Sequence, residues 1–192
     1  MKEFPRVQPR DRAAWRAWLA RHHASCDGVW LVTLKVASGK PRVTYDDAVE
    51  EALCFGWVDS LPRKLDAERS MLLVTPRKKG SPWSGLNKRR VAKLKKAGLM
   101  EPAGLAAIER AKADGSWTLY DEIEALVIPP DLAAALNADA NAARHFGAFP
   151  PSAKKGILWW LKSAKREATR AARIATIVAK AAENKRANLP GQ

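Results

Sequence analysis

The chain has 192 residues, 47% of them hydrophobic, with eight tryptophans and a net charge of +14. That is enough apolar material for one domain with a helical appendage, and no apolar run approaches the roughly 18 residues of a membrane-spanning helix. Two cysteines without His or Cys partners at ligand spacing point to neither zinc nor a disulfide framework, and no other metal or cofactor motif stands out. The opening MKEFPRVQPRDRAAW lacks an apolar signal core, so the expected location is cytoplasmic.

Residues 1–9, broken by Pro5 and Pro9, read as an irregular leader. Asp11 to His23 is predicted helical, because Trp15, Trp18 and Leu19 recur at i, i+3 and i+4. Val29 to Val36 alternates as a strand does, with Trp30, Val32, Leu34 and Val36 on one face. Thr44 to Ser60, TYDDAVEEALCFGWVDS, is the most distinctive stretch. Thr44 is a natural N-cap, Asp46 and Asp47 favour the positive helix end, and Ala48, Val49, Ala52 and Leu53 form an apolar stripe. Gly56 suits the left-handed residue that ends a helix, and Trp57 to Ser60 is extended, with Trp57 and Asp59 on one face. Ser70 to Thr75, SMLLVT, is a further strand, stopped by Pro76.

Beyond it, Arg77 to Ser84 (RKKGSPWS) sets Arg77, Lys78 and Lys79 beside Trp83 in a Gly/Pro/Ser frame. A helix from Ser84 to Ala97 turns Val91 and Leu94 inward and Lys88, Arg89, Arg90, Lys93, Lys95 and Lys96 outward. Pro102 opens another helix, stopped by Gly115. Residues 116–130 read as a connector, and the composition shift at Pro129-Pro130 marks a boundary between 1–129 and 130–192. Four helices follow. In the third, Ile157, Trp160, Leu161 and Ala164 form the inward stripe; in the last, Ile174, Ile177, Val178 and Ala181 do, while Lys165, Arg166, Arg170 and Arg173 mark a basic face. The tail from Lys185 is expected to fray. The expected fold is α+β: a small antiparallel sheet from residues 29–36, 57–63 and 70–76 covered by helices, with a helical C-terminal subdomain.

Charge is segregated. Arg77 to Lys96 holds nine basic and no acidic residues, Arg144 to Arg186 eleven and two, and Glu101 to Asp139 two and eight. Such segregation suits a polyanionic partner (nucleic acid, lipopolysaccharide or an anionic lipid surface), but it also suits solvated helices that keep the protein soluble. The candidate binding residues are Arg77, Lys78, Lys79, Trp83, Lys88, Arg89 and Arg90 in the middle of the chain and Lys165, Arg166, Arg170 and Arg173 near its end. Cations meet phosphates, and an exposed indole stacks on bases; Trp83 instead reads as core if it folds back. An enzyme reading takes Asp59 and Asp66 as acid and base, Cys54 as nucleophile and Arg63 or Arg77 as anion holder, in a pocket beside Trp57 and Asp59. No HExxH, GxSxG, P-loop or GxGxxG motif supports it, so catalysis is not the preferred reading. A third reading pairs the acidic segment with the basic helices, within one molecule or between two.

The combination of ALCFGWVDS, Thr75-Pro76-Arg77, WSGLNKRRV from Trp83 and PPSAKKGILWWLKSAKREATRAARI from Pro150 resembles the bacterial YdeI/OmpD-associated family, also labelled bacteriocin-protection. The part from about Asp131 resembles its OmdA-type domain. The resemblance implies a role in withstanding cationic antimicrobial peptides or bacteriocins, association with an envelope porin in some members, and no catalytic residues to carry over. Some members are labelled periplasmic, whereas this sequence shows no export signal.

Overall fold

The computed structural model describes residues 3–188. It comprises nine helices and a four-stranded mixed sheet among those residues and forms two compact units, residues 1–119 and 120–192. The fold class is α+β, as the patterning implied. Residues 189–192 of the expected tail lie outside the described residues.

In the first unit, α1 (Arg12–His22) starts where the Asp11 carboxylate accepts the Ala14 amide. α2 (Tyr45–Cys54) starts with a capping box, in which the Thr44 hydroxyl and the Asp47 carboxylate each accept the other's backbone N–H. Gly56, at φ +75°, then reverses the chain into β3 (Trp57–Lys64), and a Cβ there would lie 2.9 Å from the Ala103 carbonyl oxygen. β3 returns as β4 (Arg69–Pro76), which also pairs antiparallel with β2 (Val29–Leu34). β1 (Arg6–Val7) lies parallel to β2, giving the order β1-β2-β4-β3. The leader is therefore partly a strand, and the sheet is mixed, not purely antiparallel. Two residues between prolines carry no period to read; their pairing is set by β2, whose Trp30 amide donates to the Pro5 carbonyl at 2.9 Å.

One sheet face carries Val29, Leu31, Trp57 and Val74, packed with Trp15, Leu19 and Leu53 of α1 and α2. Each such side chain contributes about 2 kcal/mol by leaving water. The Trp15 and Trp57 indole N–H groups donate to the Ala48 and His23 carbonyls, so burial leaves neither unpaired. α3 (Gly85–Lys96) adds Val91 and Leu94 to this core, and α4 (Pro102–Ala113) adds Ile108. α4 approaches α2 through Gly104, where a Cβ would sit 2.2 Å from the Cys54 carbonyl oxygen.

Charge ties the same helices. Buried Glu51 accepts Arg12 at 2.6 Å and Arg16 at 2.8 Å, and buried Glu50 accepts Arg12 at 3.0 Å and Lys93 at 2.8 Å. Carboxylates this deep persist because several cations surround them.

The second unit consists of α5 (Asp121–Glu124), α6 (Pro130–Asn137), α7 (Ala140–Ala148), α8 (Pro151–Lys162) and α9 (Glu167–Ala182). Leu132, Leu136, Phe146, Ile157, Leu161 and Ile177 form its core. The expected connector is partly helical: Ile123 is buried in this core with Tyr120 against it, so the unit begins at residue 120, upstream of the composition shift. On α8 the inward stripe is Ala153, Ile157, Leu158 and Leu161, and Trp160 is only half-buried, under the Arg173 guanidinium at 5.0 Å.

Candidate functional site

The basic residues singled out by the sequence divide into buried, paired and exposed groups. Arg77 and Trp83 turn inward, with exposures of 8% and 0%. The Arg77 guanidinium carbon lies 3.8 Å from the Trp83 ring centroid, and its Nη1 donates to the Pro82 carbonyl at 2.9 Å. Burial pushes the Arg77 pKa down to about 10, opposed by the charge of Asp59. Trp83 also packs on Trp117, centroids 5.0 Å apart. Trp83 is thus the core residue that the second reading of this loop had it be and not a stacking platform, and Arg77, expected to meet a phosphate, is turned away from an external polyanion. The ring is buried because indole area outweighs the polar frame around it. Lys78 and Lys79, one and two residues on, are exposed.

α3 divides in the same way. Arg90 donates to Asp46 of α2 and to Asn87, and Lys93 donates to Glu50. Lys88 lies over Trp117 at 5.4 Å. Arg89, Lys95 and Lys96 are exposed. In the second unit Arg170 grips Asp131 at 2.6 and 2.9 Å, and Arg173 donates to the Trp160 carbonyl and to Ser163. Lys165 and Arg166 are exposed. Thus Arg90, Arg170 and Arg173 are tied to other elements of the fold, and of the cations in these two segments Lys78, Lys79, Arg89, Lys95 and Lys96 in the first unit and Lys165 and Arg166 in the second turn to solvent without an ion pair among the described residues. Lys95 and Lys96 were legible from α3 periodicity, whereas the partners of Arg90 and Arg170 lie 44 and 39 residues away and left no local signal.

The residues of the enzyme reading are not gathered at one place. Cys54 is fully buried, and burial pushes its thiol pKa up, away from the thiolate that a nucleophile needs. Asp66 closes the β3–β4 turn, accepting the Glu68 and Arg69 amides and the Arg69 guanidinium, which holds its pKa low. Trp57 belongs to the core. Arg63 lies over Trp30 at 5.0 Å. Asp59 alone of the proposed pair lines a groove of about 630 Å³, floored by Leu31, Leu72 and Val43 and rimmed by Arg42 and Tyr45. The Tyr45 hydroxyl donates to Asp59 at 2.7 Å; burial, then this bond, push the phenol up to about 12. A phenol so placed is a donor and not a base. The sequence reading missed Tyr45, because nothing local joins a first-turn helix residue to a strand carboxylate.

No helix among the described residues is long and apolar enough to cross a membrane. Set beside known families, residues 7–107 match the one described as Domain of unknown function (DUF8412), and residues 125–184 the one described as Bacteriocin-protection, YdeI or OmpD-Associated. No curated protein and no solved structure matches.

Proposed function

From a chain that belongs to the Domain of unknown function (DUF8412) family and carries a YdeI/OmpD-associated segment, we infer a non-enzymatic protection or stress protein that binds an anionic partner through basic surface. The observation that carries this is α3. Its apolar side chains Val91 and Leu94 are buried, while Arg89, Lys95 and Lys96 remain exposed after Arg90 and Lys93 have been matched to carboxylates of α2. Among the described residues none of those three cations forms an ion pair, although Arg90 and Lys93 of the same helix do. Lys78 and Lys79, in the loop before the helix, add two more exposed cations.

A basic protein repels cationic peptides, so protection by sequestering them fits the charge badly. Occupying the anionic surface that such peptides attack fits it well. The test is heparin, lipopolysaccharide and anionic-vesicle binding titrated against salt. The expected result is a steep fall in affinity with salt, and a loss of about tenfold or more at 0.1 M salt in the Arg89→Glu/Lys95→Glu/Lys96→Glu protein. Affinity independent of salt, or unchanged in that variant, overturns the reading.

The groove beside Asp59 supports a second reading, a small-molecule site. It retains Asp59 and dispenses with Cys54 and Asp66. A ligand that raises the melting temperature of the protein but not of its Asp59→Asn variant would support it; no such ligand in a broad metabolite screen would count against it.

A further inference from the structure

The helical core of the first unit lies on one face of the sheet. The opposite face carries Trp30, Leu61 and Leu73, which belong to neither hydrophobic core, beside Val32 and Met71, which are buried. A hollow of about 570 Å³ opens there, lined by Phe4, Arg6, Trp30, Leu61, Arg63 and Leu73 among others. Leu61 is 43% exposed, and Arg6 and Arg63 are exposed. We propose that this face binds single-stranded nucleic acid, with Trp30 stacking on a base and Arg6 and Arg63 meeting the flanking phosphates.

The pairing register places the chemistry. Arg6 stands opposite Trp30, Trp30 opposite Leu73, and Leu73 opposite Leu61, so a cation, an indole and two apolar side chains cross the sheet in one row. Arg63 is two residues along from Leu61, on the same face, with its guanidinium over the indole at 5.0 Å. A phosphate that draws Arg63 off the ring leaves an aromatic plane open to a base. Stacking of this kind accepts any base, and the guanidiniums supply the charge that a phosphodiester chain requires.

Charge selects the occupant. The two arginines face one lining carboxylate, Glu3, and the first unit carries twenty-three basic against thirteen acidic residues. A second copy seated here would set Arg6 and Arg63 against the same groups. The adjoining edge strand, β3, carries Pro62 and a bulge between Asp59 and Leu61, which discourage the addition of a peptide strand. A duplex hides its base faces from a sheet surface, whereas a single strand offers them. The proposal uses none of the α3 residues and stands apart from the surface described above.

Fluorescence anisotropy of the full chain with labelled dT10, in about 0.15 M salt, tests it. The expected result is binding of dT10 in preference to the dA10·dT10 duplex. Trp30→Ala should weaken dT10 binding about tenfold or more, and Trp30→Phe less than about threefold. Arg63→Ala should flatten the salt dependence by about one phosphate contact. Heparin affinity should stay as in the parent in both Trp30 variants. Should Trp30→Ala fail to fold by circular dichroism, Arg63→Ala and the duplex comparison decide alone. No binding of dT10, equal affinity for strand and duplex, or unchanged dT10 affinity in the variants overturns the proposal. So does dT10 binding lost only in the Arg89→Glu/Lys95→Glu/Lys96→Glu protein, which would assign the oligonucleotide to α3. Self-association abolished by Trp30→Ala, with no oligonucleotide bound, would make the face a protein interface instead.

Discussion

Two corners of the first unit take arginine out of water in opposite ways. At the α1–α2 seam, Arg12 and Arg16 surround Glu51, itself only 3% exposed, with Asp47, Glu50 and Glu101 within reach. After β4, Arg77 is buried without an ion pair among the described residues, lying on the Trp83 ring and donating to a carbonyl, and its Nε finds no partner among them. The first arrangement neutralises charge between helices. The second carries the cost of desolvating a cation and offsets part of it with the indole face. A cation's role here depends on the counter-charge within reach, not on the density of cations in the sequence.

Glu51→Gln should cost the most, about 3 kcal/mol in urea unfolding, since it leaves two arginines facing an amide that cannot answer their charge. A loss below about 1 kcal/mol would mean that Asp47, Glu50, Glu101 or water already satisfies Arg12 and Arg16 without Glu51, and the part given to Glu51 in the contrast between the corners would fail. Gly104→Ala tests whether the seam also depends on backbone approach. Its Cβ would meet the Cys54 carbonyl at 2.2 Å, and a loss of about 2 kcal/mol is expected from the forced shift of α4. Arg77→Met should change stability by no more than about 1 kcal/mol, because removing an unmatched buried charge offsets the lost cation–π contact. If it costs as much as Glu51→Gln, Arg77 is matched by a group other than its ring.

The smallest effect lies in the second unit. The Arg170 guanidinium, donating to Asp131, holds that carboxyl below its ordinary pKa. A carboxylate with a depressed folded pKa contributes stability above its unfolded pKa of about 4 and loses it as pH falls through the folded value. Both partners are partly exposed, so Asp131→Asn should cost about 0.5 kcal/mol at neutral pH and nothing once the parent's carboxyl is protonated. Parallel unfolding curves at pH 7 and pH 2 check the sign.

The helix starts were legible because their causes are local. Asp11, Thr44 and Ser84 each cap an amide three residues on, and Gly56 adopts the positive φ expected of it. Periodicity likewise placed Trp15, Leu19, Val91 and Leu94 inside. The candidate site was less legible. Trp83 in its basic loop had the composition of a stacking platform, but the neighbouring indole of Trp117, 34 residues away, draws it into the core. Cys54 and Asp59 are five residues apart in sequence, yet one is in the core and the other on a groove wall, because Gly56 turns the chain between them.

The amino-acid sequence alone determined the α+β class, most helix limits, the hairpin strands and the excess of positive charge, since caps, turns and side-chain period act within a few residues. Tertiary structure decided which cations were consumed and which stayed in water. It also decided that the leader joins the sheet and that Trp30 and Arg63 share its open face. The reason is physical: an ion pair or a stacked ring depends on a separation of a few ångströms between residues tens of positions apart, and only packing sets that separation.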